Sequence, residues 1–239
     1  MIVILLPAYN EAAALPRLIP KLVEAAPAIG ADVRIVVCDD GSTDQTAQVL
    51  ERLAAEHPIE VIRHRYNRGL GESIRDLVER AVEITGPGDF VVRMDCDDTH
   101  EPSYIANMVR RASAGCDVVI ASRFAEGGGQ RGVSRYRRFV SMMATRFMRL
   151  LFPIDGLHEY TSGFRVYRAE ILHHALQTYG NNFIQLKGLG FTCTLEKLVK
   201  LKLIGATFGE EPFVLRYDQK AGESKMVTSV TTFGYFSMA

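Results

Sequence analysis

The chain has 239 residues, 28 basic and 28 acidic side chains, a formal charge of zero, 47% hydrophobic residues and 23% charged ones. That balance belongs to a folded globular protein and excludes disordered, collagen-like and coiled-coil readings. Zero net charge argues against non-specific binding to DNA or RNA, so no nucleic-acid partner is expected.

The chain opens on Ile2-Val-Ile-Leu-Leu6 and runs at once into Pro7. That run is too short for a signal peptide and has no basic leader. No stretch reaches the roughly 18 apolar residues needed to cross a bilayer. The expectation is a cytoplasmic protein, peripheral on the cytosolic face of a membrane. The end just after Phe233-Gly-Tyr-Phe236 leaves open a longer native chain with membrane helices.

In chain order, apolar β-rich runs at Ile2–Leu6, Val33–Val37, Ile59–Arg63, Phe90–Met94 and Val118–Ala121 predict strands. Segments with helical spacing lie between them, at Leu15–Ala25, Asp44–Ala55, Gly71–Ile84 and Pro102–Ala114. Apolar strands alternating with helices predict an α/β fold, a Rossmann-like and mostly parallel sheet with helices on both faces. Asp44 is placed to cap the second helix, and Pro102 suits a first helical turn, with His100 and Glu101 in the helix start. Cys38, Cys96, Cys116 and Cys193 form no CxxC pair and read as small hydrophobes, not as a disulfide frame or zinc site. The six histidines show no HxxxH spacing.

After Arg123 the pattern changes. Gly127-Gly-Gly129 reads as a flexible loop beside the site or as a plain connector. Between 127 and 154 stand six arginines (131, 135, 137, 138, 146 and 149) and no acid. Phe208–Tyr217, with Pro212, reads as an edge strand. No repeat or linker divides the chain, so a single domain over 1–239 is expected, its first half about 1–123 and its second about 124–239.

Ligands of such sheets bind at the carboxyl ends of the strands. Those ends carry Pro7-Ala-Tyr-Asn-Glu11, Cys38-Asp-Asp-Gly-Ser-Thr43 and Asp95-Cys-Asp-Asp98. There is no GxGxxG after the first strand and no GxxxxGK[ST], so dehydrogenase and P-loop readings lose their main support. Asp95 and Asp97 straddle Cys96 at a strand end, where both carboxylates can approach one Mg²⁺ or Mn²⁺ that also holds a diphosphate. Alone, a DxD is also a way to end a strand, and Asp39-Asp40-Gly41-Ser42 an ordinary turn. Together at successive sheet edges they are more specific.

These motifs, with Ser122-Arg123, resemble the inverting family-two glycosyltransferases of the GT-A fold. Thr161-Ser-Gly-Phe-Arg-Val-Tyr167, Gly190-Phe191 with Glu196, and Gly222-Glu-Ser-Lys225 resemble the polyprenyl-phosphate branch, hexosyltransferases like the dolichol-phosphate mannosyltransferases. The resemblance spans about residues 2 to 226. It implies transfer of a sugar, with inversion, from a nucleoside diphosphate-sugar donor to a dolichyl or undecaprenyl phosphate acceptor. The half about 1–123 would then hold the nucleotide sugar, and the half about 124–239 the acceptor and the membrane.

By the same resemblance, Pro7, Tyr9, Glu11 and Asp39 line the nucleoside pocket, with Asp40 in the same cofactor-binding group. Asp95 and Asp97 hold the metal against the diphosphate. Arg123, Arg137 and Ser141 meet the acceptor phosphate, and Lys225 lies in a loop closing over the nucleotide. Thr99 stands where the family often has glutamine, and Glu159 where aspartate is usual. Gln219-Lys220 replaces a common arginine, leaving a phosphate contact to Lys220 or Arg216. A hydroxyl acceptor would need a base, for which Glu159 and Asp97 are the candidates.

A helix over Arg135–Phe152 would place Arg135, Arg138, Arg146 and Arg149 on one stripe. Phe139, Val140, Met143, Ala144, Phe147, Leu150 and Leu151 fall beside it, as in a helix lying in a membrane interface. Arg137, off the stripe, is one turn from Ser141. The plain alternative docks the apolar face on the core. Rival functions are a family-two transferase with a saccharide or other hydroxyl acceptor, and a nucleotidyltransferase. The latter would carry a Gly-rich basic loop in place of Pro7–Glu11. A non-enzymatic binding module fits the acid pair least.

Overall fold

The computed structural model describes residues 1–220 and Gly234, without the Arg137 side chain. In chain order the elements are β1 (Ile2–Ala8), α1 (Leu15–Ile29), β2 (Val33–Asp39), α2 (Thr46–Glu56), β3 (Ile59–Arg63), α3 (Leu70–Ile84), β4 (Phe90–Arg93) and α4 (Ile105–Ser113). Then follow β5 (Val118–Ser122), β6 (Gly129–Arg131), α5 (Arg135–Leu151), β7 (Arg165–Arg168), α6 (Ala169–Tyr179), α7 (Thr192–Leu203), β8 (Phe208–Pro212) and β9 (Val214–Arg216).

The main sheet has the order β3-β2-β1-β4-β7-β5-β8. β1, β2, β3 and β4 are mutually parallel, β5 is parallel to β8, and β7 lies antiparallel between β4 and β5. The expected mostly parallel α/β sheet is therefore present. β1, β5 and the inner residues of β2 are runs of buried apolar residues because both faces of the sheet are covered there. Alternation then divides the core. Val3, Leu5, Val91, Val118 and Ile120 pack with α3, α6 and α7, while Ile4, Leu6, Val92, Val119 and Ala121 pack with α1, α2 and α4.

Several boundaries differ from expectation. α1 runs four residues past Ala25, through Pro27, and stops at Gly30, whose φ of +72° suits a helix C-cap. α2 starts at Thr46, not Asp44, whose carboxylate instead accepts the Thr46 N–H at 2.9 Å. Pro102–Tyr104 forms a 3₁₀ turn before α4. Gly127–Gly129 lies in a hydrogen-bonded turn. The Gly128 N–H bonds the Ala125 carbonyl, and Gly129 opens β6, which pairs with β9 in a small second sheet. The stretch expected as one edge strand is thus two: β8 on the main sheet and β9 beside β6. The thiols of Cys38, Cys96 and Cys193 are buried, Cys116 is half-buried, and none forms a disulfide.

Candidate active site

The chain leaves β1 for β2 and β3 on one side, then crosses back to β4 on the other. Strand order reverses between β1 and β4, and open α/β sheets bind ligands at such a point. Pro7–Glu11 and Asp95–Asp98 flank it.

On the β1 side two loops are stitched together. Asn10, at φ +53°, donates its N–H to Ser42 Oγ (2.9 Å), and its Oδ1 accepts the Thr43 N–H (2.8 Å). Asparagine tolerates that left-handed conformation. The Glu11 N–H donates to Thr46 Oγ1 (2.8 Å), and Asp39 Oδ1 accepts the Ser42 N–H (3.1 Å). Gly41 is required: a Cβ there would come 2.3 Å from the Tyr66 carbonyl carbon. Pro7 and Tyr9 are half-buried, while Glu11 and Asp39 are buried. Asp40, expected in the cofactor-binding group, is engaged by the protein itself. Its oxygens accept the Arg68 and Gly69 N–H groups at 2.9 Å, and His64 Nδ1 lies 2.6 Å away. It holds the start of α3 in place.

On the β4 side the acid pair is surrounded by cations. Asp97 accepts the Thr99 hydroxyl at 2.6 Å and meets the Lys220 ammonium. Burial alone would raise the Asp97 pKa, but Lys220 and His100 outweigh it and hold the carboxyl below its usual range. Asp95 Oδ1 lies 2.7 Å from an Arg93 nitrogen. The Asp95 N–H donates to His100 Nδ1 (3.1 Å). His100 stacks on Phe164, and burial lowers its pKa. His100 therefore supports the acid pair instead of only starting a helix.

These residues fit a divalent cation. Two hard carboxylates stand at one strand end, and Asp97 already meets a positive group. Among the described residues no set of three or more His, Cys, Asp or Glu side chains is assembled for a metal. A cation here would complete its shell with water and diphosphate oxygens, as Mg²⁺ and Mn²⁺ do.

A third group forms where β5 ends. Arg123 grips Glu159 with two nitrogens, at 2.7 and 2.8 Å, and donates to Thr161 Oγ1 at 2.6 Å. Glu159 is fully buried and also accepts the Thr161 and Ser162 N–H groups. Burial would raise its pKa, but Arg123 and the Thr161 hydrogen bonds hold it below the ordinary value. A carboxylate so committed orients Arg123 and is not placed to take a proton. Glu210 fixes the same loop by accepting the His158 and Glu159 N–H groups, both at 2.6 Å.

The basic helix α5 forms over Arg135–Leu151, one residue short of the expected end at Phe152, with Arg135, Arg138, Arg146 and Arg149 exposed. Its apolar face is not docked on the core. Phe139, Met143 and Leu150 are 56%, 45% and 79% exposed, Tyr136 lies exposed with them, and Met148 and Thr145 are its buried positions. Ser141 is half-buried. The Arg137 side chain and Lys225 lie outside the described residues. Of the two candidates for the missing arginine, Lys220 reaches Asp97, whereas Arg216 pairs with Asp218 at 2.9 Å. Arg93 and His100 went unread as site residues. The one signal was an arginine inside the apolar run Phe90–Met94.

The family description "Glycosyl transferase family 2" matches residues 3–176. Polyprenol monophosphomannose synthase of Mycolicibacterium smegmatis is 33% identical over 171 residues, covering 71% of this chain and 62% of that protein. The chain thus spans under two thirds of that relative's length. Undecaprenyl-phosphate mannosyltransferase of Micrococcus luteus is 28% identical, covering 96% of this chain and 92% of that protein. Glucosyl-3-phosphoglycerate synthase of Mycobacterium tuberculosis, solved with Mn²⁺, uridine diphosphate and phosphoglyceric acid, superposes with a TM-score of 0.61 at 19% identity. It covers 98% of this chain and 74% of that one. That likeness establishes the GT-A fold.

Proposed function

The chain belongs to glycosyl transferase family 2, and we propose that it moves a sugar from a nucleoside diphosphate-sugar to a polyprenyl phosphate at a membrane surface. The observation that carries this reading is α5, which leaves an aromatic and aliphatic face uncovered beside four exposed arginines. Such a face suits a membrane interface with anionic lipids. Among the described residues no helix is long and apolar enough to cross a membrane. The lipid relatives in Mycolicibacterium and Micrococcus support the acceptor class.

In this reading Pro7, Tyr9, Glu11 and Asp39 line the nucleoside pocket. Asp95 and Asp97 would hold Mg²⁺ or Mn²⁺. When bound, the cation neutralises charge on the departing diphosphate. A phosphate oxygen of the lipid attacks the anomeric carbon in line. The new carbon–oxygen bond forms as the bond to the β-phosphate oxygen breaks, so the configuration inverts and the nucleoside diphosphate leaves. The acceptor is already anionic and needs positioning, not deprotonation. That accords with Glu159, whose oxygens are occupied by Arg123 and Thr161. A hydroxyl acceptor would need a free base instead. Arg123, held by Glu159, and the Arg137–Ser141 pair on α5 grip the acceptor phosphate, and Lys225 belongs to the closing loop.

The test separates phosphate recognition from membrane attraction. Arg137→Ala should raise the acceptor KM or slow transfer roughly ten- to a hundred-fold, the value of a charged hydrogen bond, with nucleotide affinity unchanged. Arg146→Ala should weaken sedimentation with anionic vesicles, an interaction that salt screens, and leave transfer to a short detergent-soluble acceptor intact. Identical behaviour of the two variants, or a nucleotide defect in Arg137→Ala, would remove the assigned acceptor site.

A further inference from the structure

Behind Asp95, on the sheet face covered by α3, α6 and α7, three cations are buried: Arg93 at 2% exposure, Arg165 at 0% and Lys197 at 2%. Arg93 and Arg165 are direct partners across the antiparallel β4–β7 pair. Like charges in that relation repel unless something lies between or beside them. Arg165 is satisfied, its nitrogens donating to the carbonyls of Ser162, Thr194 and Tyr160 at 2.9, 2.8 and 2.9 Å.

Arg93 is not satisfied. One nitrogen touches Asp95, while Nε and Nη1 find no acceptor. The buried hydroxyls of Tyr167 and Thr194 find no acceptor either, Tyr167 lying beside the Arg165 guanidinium and Thr194 beside the Cys193 thiol. The Lys197 ammonium stands 5.8 Å over the Tyr167 ring. Burial pushes the Lys197 pKa down, and the titratable groups that act on it most are Tyr167, Cys193, Arg93 and Arg165, none of them a carboxylate. The neighbouring acid, Glu196, is committed to the Gln185 and Leu186 N–H groups and to Lys200. Gly163 makes room for the guanidinium: a Cβ there would fall 1.3 Å from Arg93 Nη1.

Buried ions without counter-charge are costly, and buried donors in native proteins are almost always paired. We infer that Arg93, Lys197 and the Tyr167 hydroxyl form a buried site for one small monoanion, a carboxylate or a halide, directly behind the Asp95 carboxylate. The anion supplies the acceptor for Nε and Nη1 of Arg93 and relieves the repulsion among the three cations. It comes either free from solution or as the carboxylate of an acidic sugar on the donor. The second source rests on the proposed function, in which Asp95 faces the donor diphosphate.

The experiment is thermal unfolding of the whole chain, without nucleotide, at constant ionic strength. Chloride or formate replaces a bulky sulfonate in steps. The expected result is a Tm that rises along a saturating curve, as for any ligand of the folded state. Lys197→Met should lose this dependence and Tyr167→Phe, the milder change, should weaken it. A linear, unsaturable response shared by all three proteins would overturn the site. So would a Lys197→Met protein more stable than the parent at every anion concentration, the behaviour of a cluster that holds nothing. If Lys197→Met does not fold, the parent curve and Tyr167→Phe decide. In a second arm, a uronosyl nucleotide and its neutral hexosyl counterpart are titrated calorimetrically. About tenfold tighter binding of the acidic donor, lost in Tyr167→Phe, assigns the carboxylate to the sugar. Equal binding alongside the chloride effect assigns it to solution. If neither donor binds while the chloride effect stands, the proposed function fails and the anion site survives.

Discussion

Asp97→Asn is expected to lower sugar transfer about a thousandfold, since neutralising transition-state charge through a metal contributes several kcal/mol and each ~1.4 kcal/mol is a factor of ten. Asp95→Asn should act similarly. Asp97 loses one charge but keeps an oxygen for the Thr99 hydroxyl, and it lies at the end of a strand whose apolar residues remain packed. The fold should therefore survive, with an unchanged far-UV spectrum. The measurement is kcat across a Mn²⁺ titration. The parent should saturate, and the variants should stay low or need far more metal. Full activity of both variants, or of the parent in excess EDTA, would exclude a role for the cation.

The second large effect is expected in stability. Glu159 is fully buried and Arg123 nearly so, with side chains 0% and 12% exposed. Removing one partner of a buried pair leaves the other charge stranded, at a cost of roughly 3–5 kcal/mol. Arg123→Ala should lower unfolding stability by about that amount at pH 7. The double variant Arg123→Met with Glu159→Gln should lose much less than the sum of its singles, because the two residues share one network. The sign of the pH dependence follows. Glu159 has its folded-state pKa lowered. Its contribution is complete above the ordinary glutamate value of about 4.3 and fades as pH falls toward the lower folded-state value. Denaturant unfolding between pH 7 and pH 3 should show a loss that Glu159→Gln lacks. Strict additivity of the two substitutions would show that the pair does not act as a unit.

These two groups were legible in the sequence to different degrees. β1, β2, β4 and β5 were readable from their runs of consecutive apolar residues, and Ile59–Arg63 matches the expected bounds at both ends. β7 was not, because four residues with arginine at both ends carry no strand period. It nonetheless sets Arg93 opposite Arg165. Asp95 and Asp97 announced themselves by spacing and strand end. The work of Glu159 could not be read, since charge and position leave base and orienting group equally open. Only its five donor contacts distinguish them. Asp40 shows the same limit: beside Asp39 it reads as a ligand-binding acid, and only the structure shows that its oxygens accept the amides opening α3. Lys220 and Arg216 look equivalent from the chain, whereas in the structure Arg216 pairs with Asp218 and Lys220 with Asp97.

The central claim is the acceptor. A panel of nucleoside diphosphate-sugars is incubated with the whole protein, Mn²⁺ and a short polyprenyl phosphate, and the lipid fraction is analysed for a glycosyl phosphate. The account predicts that one donor gives a sugar-phosphate-lipid of inverted anomeric configuration, with one nucleoside diphosphate released per lipid product. Transfer from the same donor to a sugar hydroxyl, with the polyprenyl phosphate left unmodified, would contradict it.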